Sequence, residues 1–133
     1  MVQATPFLLL LSLALVAPGL CARKCVLTGR WANDLGSNMT IWNVDEGGKF
    51  SGLYHTAVGG SPNPIQISPL LGFQHCTIKD SQPTFGFTVK WSFSDTITVF
   101  TGQCFVDADG KEVLKTMWLW RSRVDNIKDD WKA

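Results

Sequence analysis

The sequence is poor in the groups that usually carry catalysis. It has two histidines, His55 and His75, in 133 residues. Neither falls into a spacing with serine and carboxylate that suggests a triad, and no carboxylates pair for acid–base work, which argues against an enzyme. No charge of one sign dominates: 12 Lys and Arg face 11 Asp and Glu, for a net charge of +1. Without a basic run or an acidic tail, neither nucleic acid nor an anionic membrane has an electrostatic reason to bind. No apolar run is long enough for a transmembrane helix, and no long helical pattern is present.

Near the N-terminus, Phe7 to Val16 is an unbroken apolar run, followed by Ala17-Pro18-Gly19-Leu20-Cys21. It is too short to span a bilayer, and small residues at Gly19 and Cys21 suit cleavage before Ala22, although no basic residue precedes the run. This predicts a signal peptide over 1–21, a mature domain over 22–133 and an extracellular location. All the charged residues lie after Ala22, so the mature charge is unchanged.

Four cysteines remain to be placed. Cys21 leaves with the leader. Cys25 and Cys104 lie in strand-like segments, and secretion favours a bridge between them. Cys76 is then left over as a free thiol or a link between chains. With His75 it offers two donors in a loop, too few for a metal site, so no metal is expected. Asn38-Met39-Thr40 is a sequon for N-linked glycan.

What the chain has in quantity is alternation. Strand-like runs cover Lys24–Ala32, Asn38–Asn43, Lys49–Val58, Ile65–Phe73, Thr84–Phe93, Thr96–Val106 and Lys111–Arg121. Between them lie turn signals such as Asn33-Asp34-Leu35-Gly36, Asp45-Glu46-Gly47-Gly48 and Asp107-Ala108-Asp109-Gly110. Val124–Trp131 is compatible with a helical turn. About seven short strands joined by hairpins predict an all-β fold, an antiparallel up-and-down β-barrel, though closed barrels of this size usually take eight strands.

Side chains alternate across a strand, so Phe85, Phe87, Val89, Trp91 and Phe93 share a face. With six tryptophans in the chain, that face is either a dense core or the wall of a flat ligand's pocket. Placing Cys25 and Cys104 inside sets two registers. Trp31 and Phe100 then point inward, with Asn33, Thr96 and Thr98 gathered at one mouth. A plain core has little use for such short polar groups.

These segments resemble the avidin family, the secreted biotin-binding barrels. The resemblance is carried by Cys25-Val26-Leu27-Thr28-Gly29-Arg30-Trp31-Ala32-Asn33-Asp34-Leu35-Gly36-Ser37-Asn38-Met39-Thr40, by Gln82 to Trp91, by Val99 to Phe105, by Lys111 to Leu119 and by Asp129 to Ala133. It implies that Asn33, Ser37 and Tyr54 converge on the ureido oxygen of biotin. It further implies that Thr56 accepts from a ureido N–H and that Thr98 approaches the thioether sulfur. Trp91, Phe93, Phe100 and Trp118 match the rings around the bicycle. Trp131 matches the ring each subunit of a homotetramer lends to its neighbour. Ser94 and Thr96, with Gly59, Gly60 and Ser61, fall where the carboxylate is held. Biotin is then a ligand, and no cofactor is implied.

The sequence departs from the family pattern in three places. It stops at Ala133, short of the strand that closes the family's barrel, and an incomplete sequence is expected because open edges invite aggregation. Trp120 stands in the pocket where the best-known members carry Leu, and Gly59-Gly60 replace a hydroxyl-bearing segment. Three other readings remain: a carrier of a different small apolar ligand, a relative with weakened biotin binding, and a scaffold that has lost its site. The first would leave Asn33, Ser37, Tyr54 and Thr56 unpaired.

Overall fold

A computed structural model of the chain describes residues 25–56, 66–77, 79 and 81–133. Seven strands form one antiparallel sheet: β1 (Gly29–Ala32), β2 (Asn38–Ile41), β3 (Lys49–Thr56), β4 (Gln66–Gln74), β5 (Thr84–Lys90), β6 (Ile97–Val106) and β7 (Glu112–Arg121). Their spatial order is β1-β2-β3-β4-β5-β6-β7, so each strand pairs only with its neighbours in sequence. A 3-10 helix over Ile127–Lys132 follows β7. The sheet curls around its inner side chains as an antiparallel meander of the expected class.

Three hairpins are built on one chemical pattern, an Asn or Asp followed three residues later by glycine. At Asp45 the backbone N–H donates to Lys49 O (2.9 Å), Gly48 N–H donates to Asp45 O (3.0 Å) and Lys49 N–H donates to the Asp45 carboxylate (2.8 Å). Asp107 repeats this with Lys111 and Gly110, and Asn33 with Ser37 and Gly36. The glycines have φ of 87°, 80° and 87° at Gly48, Gly110 and Gly36, the left-handed conformation a three-residue hairpin loop requires. At Gly48 a side chain is excluded twice over, since a Cβ would lie 2.1 Å from Gln74 O.

Phe50, Leu70, Phe85, Phe87 and Val89 fill the curl, joined by Met39 and Ile41 from β2. Their rings pack edge-on or stacked: Phe50 to Phe87 at 6.3 Å, Phe85 to Phe87 at 6.1 Å and Phe87 to Phe100 at 4.7 Å between centroids. Offset and edge-on pairs of this kind add about 0.5–1.5 kcal/mol each beyond area burial.

One end of the sheet is gathered by the disulfide Cys25–Cys104, Cα–Cα 5.8 Å and 79 residues apart in sequence, with both cysteines fully buried. Around it Cys25 N–H donates to Ser81 O and Val26 N–H to the Glu112 carboxylate. The described residues ahead of β1 were expected to belong to the strand, but Cys25 and Val26 spend their N–H groups on a loop and a side chain, not on a ladder, and β1 begins at Gly29. Cys76 differs from its expectation as a free or interchain thiol. It is disulfide-bonded, and its partner lies outside the described residues.

Strand β5 ends at Lys90, so Phe93 does not continue its inward row. It sits in the turn that follows, 51% exposed, with its ring 5.5 Å from that of Trp91.

Candidate ligand site

The end of the sheet opposite the disulfide is where the hydroxyls meet the rings. Asn33 sits in the β1–β2 turn, and its side-chain oxygen accepts from Leu35 N–H and Ser37 N–H, both at 3.0 Å. Those two bonds fix the amide: the oxygen serves the turn, so the NH2 must face the other way. It points to the Tyr54 hydroxyl, 3.5 Å away. Ser37, buried by the same turn, also hydrogen-bonds Tyr54. Three donors, Asn33 Nδ2, Ser37 Oγ and Tyr54 Oη, are thus clustered at one point. The ordinary reading of Asn33 as a turn former and its reading as a ligand contact describe the same residue, one end of the amide for each.

Tyr54 reaches this point from β3, where Phe50, Gly52, Tyr54 and Thr56 alternate inward. Its ring stands edge-on to Trp91 at 5.3 Å and stacks on Phe100 at 5.9 Å. Burial raises its pKa above the ordinary tyrosine value, and the Ser37 hydrogen bond offsets part of that rise. The phenol is therefore held neutral, as a donor must be.

The aromatic wall continues along the registers. Phe100 pairs with Phe87 on one side and Trp118 on the other, while Thr98 pairs with Val89 and Trp120. Trp118 and Trp120 therefore share the inner face with Phe100 and Thr98, on a strand whose outer edge has no pairing partner among the described residues. They are 61% and 49% exposed, indole surface facing an open mouth. Thr98 is buried, and its Oγ1 accepts from the Trp91 indole N–H at 2.8 Å. That bond orients Trp91 and leaves the threonine's own O–H to donate.

At the rim, Trp91 N–H donates to Thr96 O, and the Ser94 and Thr96 hydroxyls bond each other. Thr56 lies at the end of β3, next to Tyr54 on the inward row. Trp131, in the 3-10 helix, is 96% exposed and stands apart from this chain's own cluster. An ion pair between Arg121 and Asp130 ties that helix to the end of β7. Gly59, Gly60 and Ser61 lie outside the described residues. Both histidines are off the site: His55 alternates outward between Tyr54 and Thr56, and His75 follows β4 on the surface. Two residues had no signal in the sequence: Ser68, inward on β4, and Ser92, in the β5–β6 turn, which hydrogen-bond each other. Isolated serines look alike until a register brings them together.

A curled antiparallel sheet whose mouth joins clustered donors to an aromatic wall defines a binding protein for a small, flat ligand with a polar head. The family model described as the Avidin family matches residues 21–133. Avidin of Gallus gallus is 65% identical over 136 aligned residues, covering 100% of this chain and 90% of that protein. Avidin-related protein 4/5 of Gallus gallus is 66% identical over 126, covering 95% and 83%. A solved structure titled as a biotin binding protein from chicken superposes with a TM-score of 0.76 at 55% identity, covering 84% of this chain and 90% of that one. The chain belongs to the avidin family.

Proposed function

We propose that this protein binds biotin without transforming it, as a secreted, glycosylated homotetramer. The observation that carries the reading is the convergence of Asn33 Nδ2, Ser37 Oγ and Tyr54 Oη inside an aromatic enclosure. Three donors aimed at one acceptor suit a ureido carbonyl, whose oxygen they polarise, and shielding by rings strengthens each bond. Thr56 takes a ureido N–H, and the free O–H of Thr98 meets the thioether sulfur. Trp91, Phe93, Phe100, Trp118 and Trp120 enclose the bicycle. Ser94 and Thr96, with Gly59 to Ser61, hold the carboxylate. A wholly apolar ligand would strand these polar groups, at a cost of about 1–3 kcal/mol each.

Assembly is supported by the outer face. Leu71, Phe73, Val99, Met117 and Leu119 all point outward, and the pairing of β4 through β7 aligns them into one exposed apolar field. Such a field suits a second copy of the chain, and a neighbour gives the exposed Trp131 ring a mouth to cover. Titration calorimetry of the secreted protein with biotin tests the function: one site per chain is expected, and folded tetramer that takes up no biotin overturns it.

The leader assignment has its own readout. N-terminal sequencing of the secreted protein is expected to begin at Ala22, and a secreted chain that keeps the residues before Ala22 overturns the assignment.

A further inference from the structure

The β5–β6 turn, residues 91–96, carries Phe93, Ser94 and Thr96, yet its own internal bonding is slight. Trp91 N–H to Thr96 O closes its base at 3.3 Å, and the Ser94 and Thr96 hydroxyls bond each other. Besides the Trp91 indole bond to Thr98, the turn is attached to the rest of the sheet by a closed ring of bonds to β4. Ser92 N–H donates to Ser68 Oγ at 3.0 Å. Ser92 Oγ–H donates to Ile67 O at 2.7 Å. The two hydroxyls lie 3.3 Å apart, with Ser68 O–H left to donate to Ser92 Oγ. Every donor in the ring has an acceptor. Ser68 is fully buried on the inner face, at the position paired with Tyr54, so the ring is anchored in the wall of the site and not on a mobile surface.

We propose that Ser92, held by Ser68, is a positioning residue that sets preference for a carboxylate at the end of the ligand. The inference rests on the biotin reading above. Ser94 and Thr96 must present two hydroxyls together to a charged group, and a short turn can do so only if its backbone is fixed before the ligand arrives. The ring fixes it at Ser92, two residues from Ser94. Asp95 lies between the two hydroxyl residues and is exposed. A turn released from β4 is free to bring that carboxylate toward the ligand's own, where like charges repel. The neutral bicycle end of the ligand, bound by Asn33, Ser37 and Tyr54 on other strands, does not depend on the ring.

The test compares release of biotin with release of biotin amide, which keeps the bicycle and lacks the charge, from the full-length protein. Ser92→Ala is expected to release biotin at least five-fold faster and to change release of the amide less than two-fold. Ser92→Thr, which keeps the hydroxyl, restores the unmodified rate for biotin. Equal acceleration of both ligands in Ser92→Ala, or of neither, overturns the proposal. Absence of biotin binding by the unmodified protein is a separate result, and it removes the reading on which this one rests.

Discussion

Replacing Tyr54 by Phe is expected to weaken biotin binding about 30-fold while leaving the melting temperature within a few degrees. The ring is retained, so its edge-on contact with Trp91 and its stack on Phe100 survive. What disappears is one donor of three, and it leaves Asn33 and Ser37 to hold the ligand's acceptor between them. Losing one partner of a shielded hydrogen bond costs about 2 kcal/mol, and each 1.4 kcal/mol is about tenfold in affinity. Competition calorimetry reads the loss. A drop below about threefold would mean that Tyr54 packs and does not donate.

The same residue gives the site its pH limit. Burial raises the folded pKa of Tyr54 above the unfolded value near 10. The folded state therefore keeps the proton longer than the unfolded chain does. The stabilisation is complete below about pH 10 and is lost as pH rises through the folded value. Binding should fail over the same range, since tyrosinate cannot donate. The chain has a single tyrosine, so tyrosinate absorbance follows this one group, and Tyr54→Phe should lack that alkaline limb.

The second large effect concerns the other end of the sheet. Changing both Cys25 and Cys104 to Ala should lower stability by roughly 4 kcal/mol, because the bridge closes a loop of 79 residues. For a domain of this size that is a fall of about 15 °C in melting temperature, read by calorimetry. Asn33, Ser37 and Tyr54 lie at the opposite end, so the variant should bind biotin at low temperature with little change. Loss of binding at a temperature where the sheet is intact would show that the two ends are coupled.

Much of this was legible in the residues, for identifiable reasons. Period-two alternation marked the strands to within a few residues because each has one wet and one dry face, and Asp45, Asp107 and Asn33 marked turns by the glycine three positions on. The Cys25–Cys104 bridge was expected from secretion and from two cysteines in strand-like segments, and the structure contains it. Alternation misled where a side chain or loop takes over a backbone bond. Cys25 and Val26 read as strand yet donate to Ser81 and Glu112, and Phe93 reads as the fifth residue of the inward row yet stands in a turn. The dual use of Asn33 and the Ser68–Ser92 ring were out of reach, since both depend on which atoms the register brings within 3.5 Å. The bonding of Cys76 could not be read from spacing, as one cysteine looks the same paired or free.

The strand order β1 through β7 also bears on how quickly the chain can find this shape. Each strand waits only for the one before it, so hairpins can zip in succession with short loops to close, and low contact order favours speed. Among the described residues, a covalent link between distant segments, Cys25 to Cys104, joins the segment ahead of the first strand to the sixth. Its sulfurs come within reach only after the sheet has curled. Oxidation is then a late step that locks a shape already formed, and a cell that folds this chain can afford to supply the oxidant last.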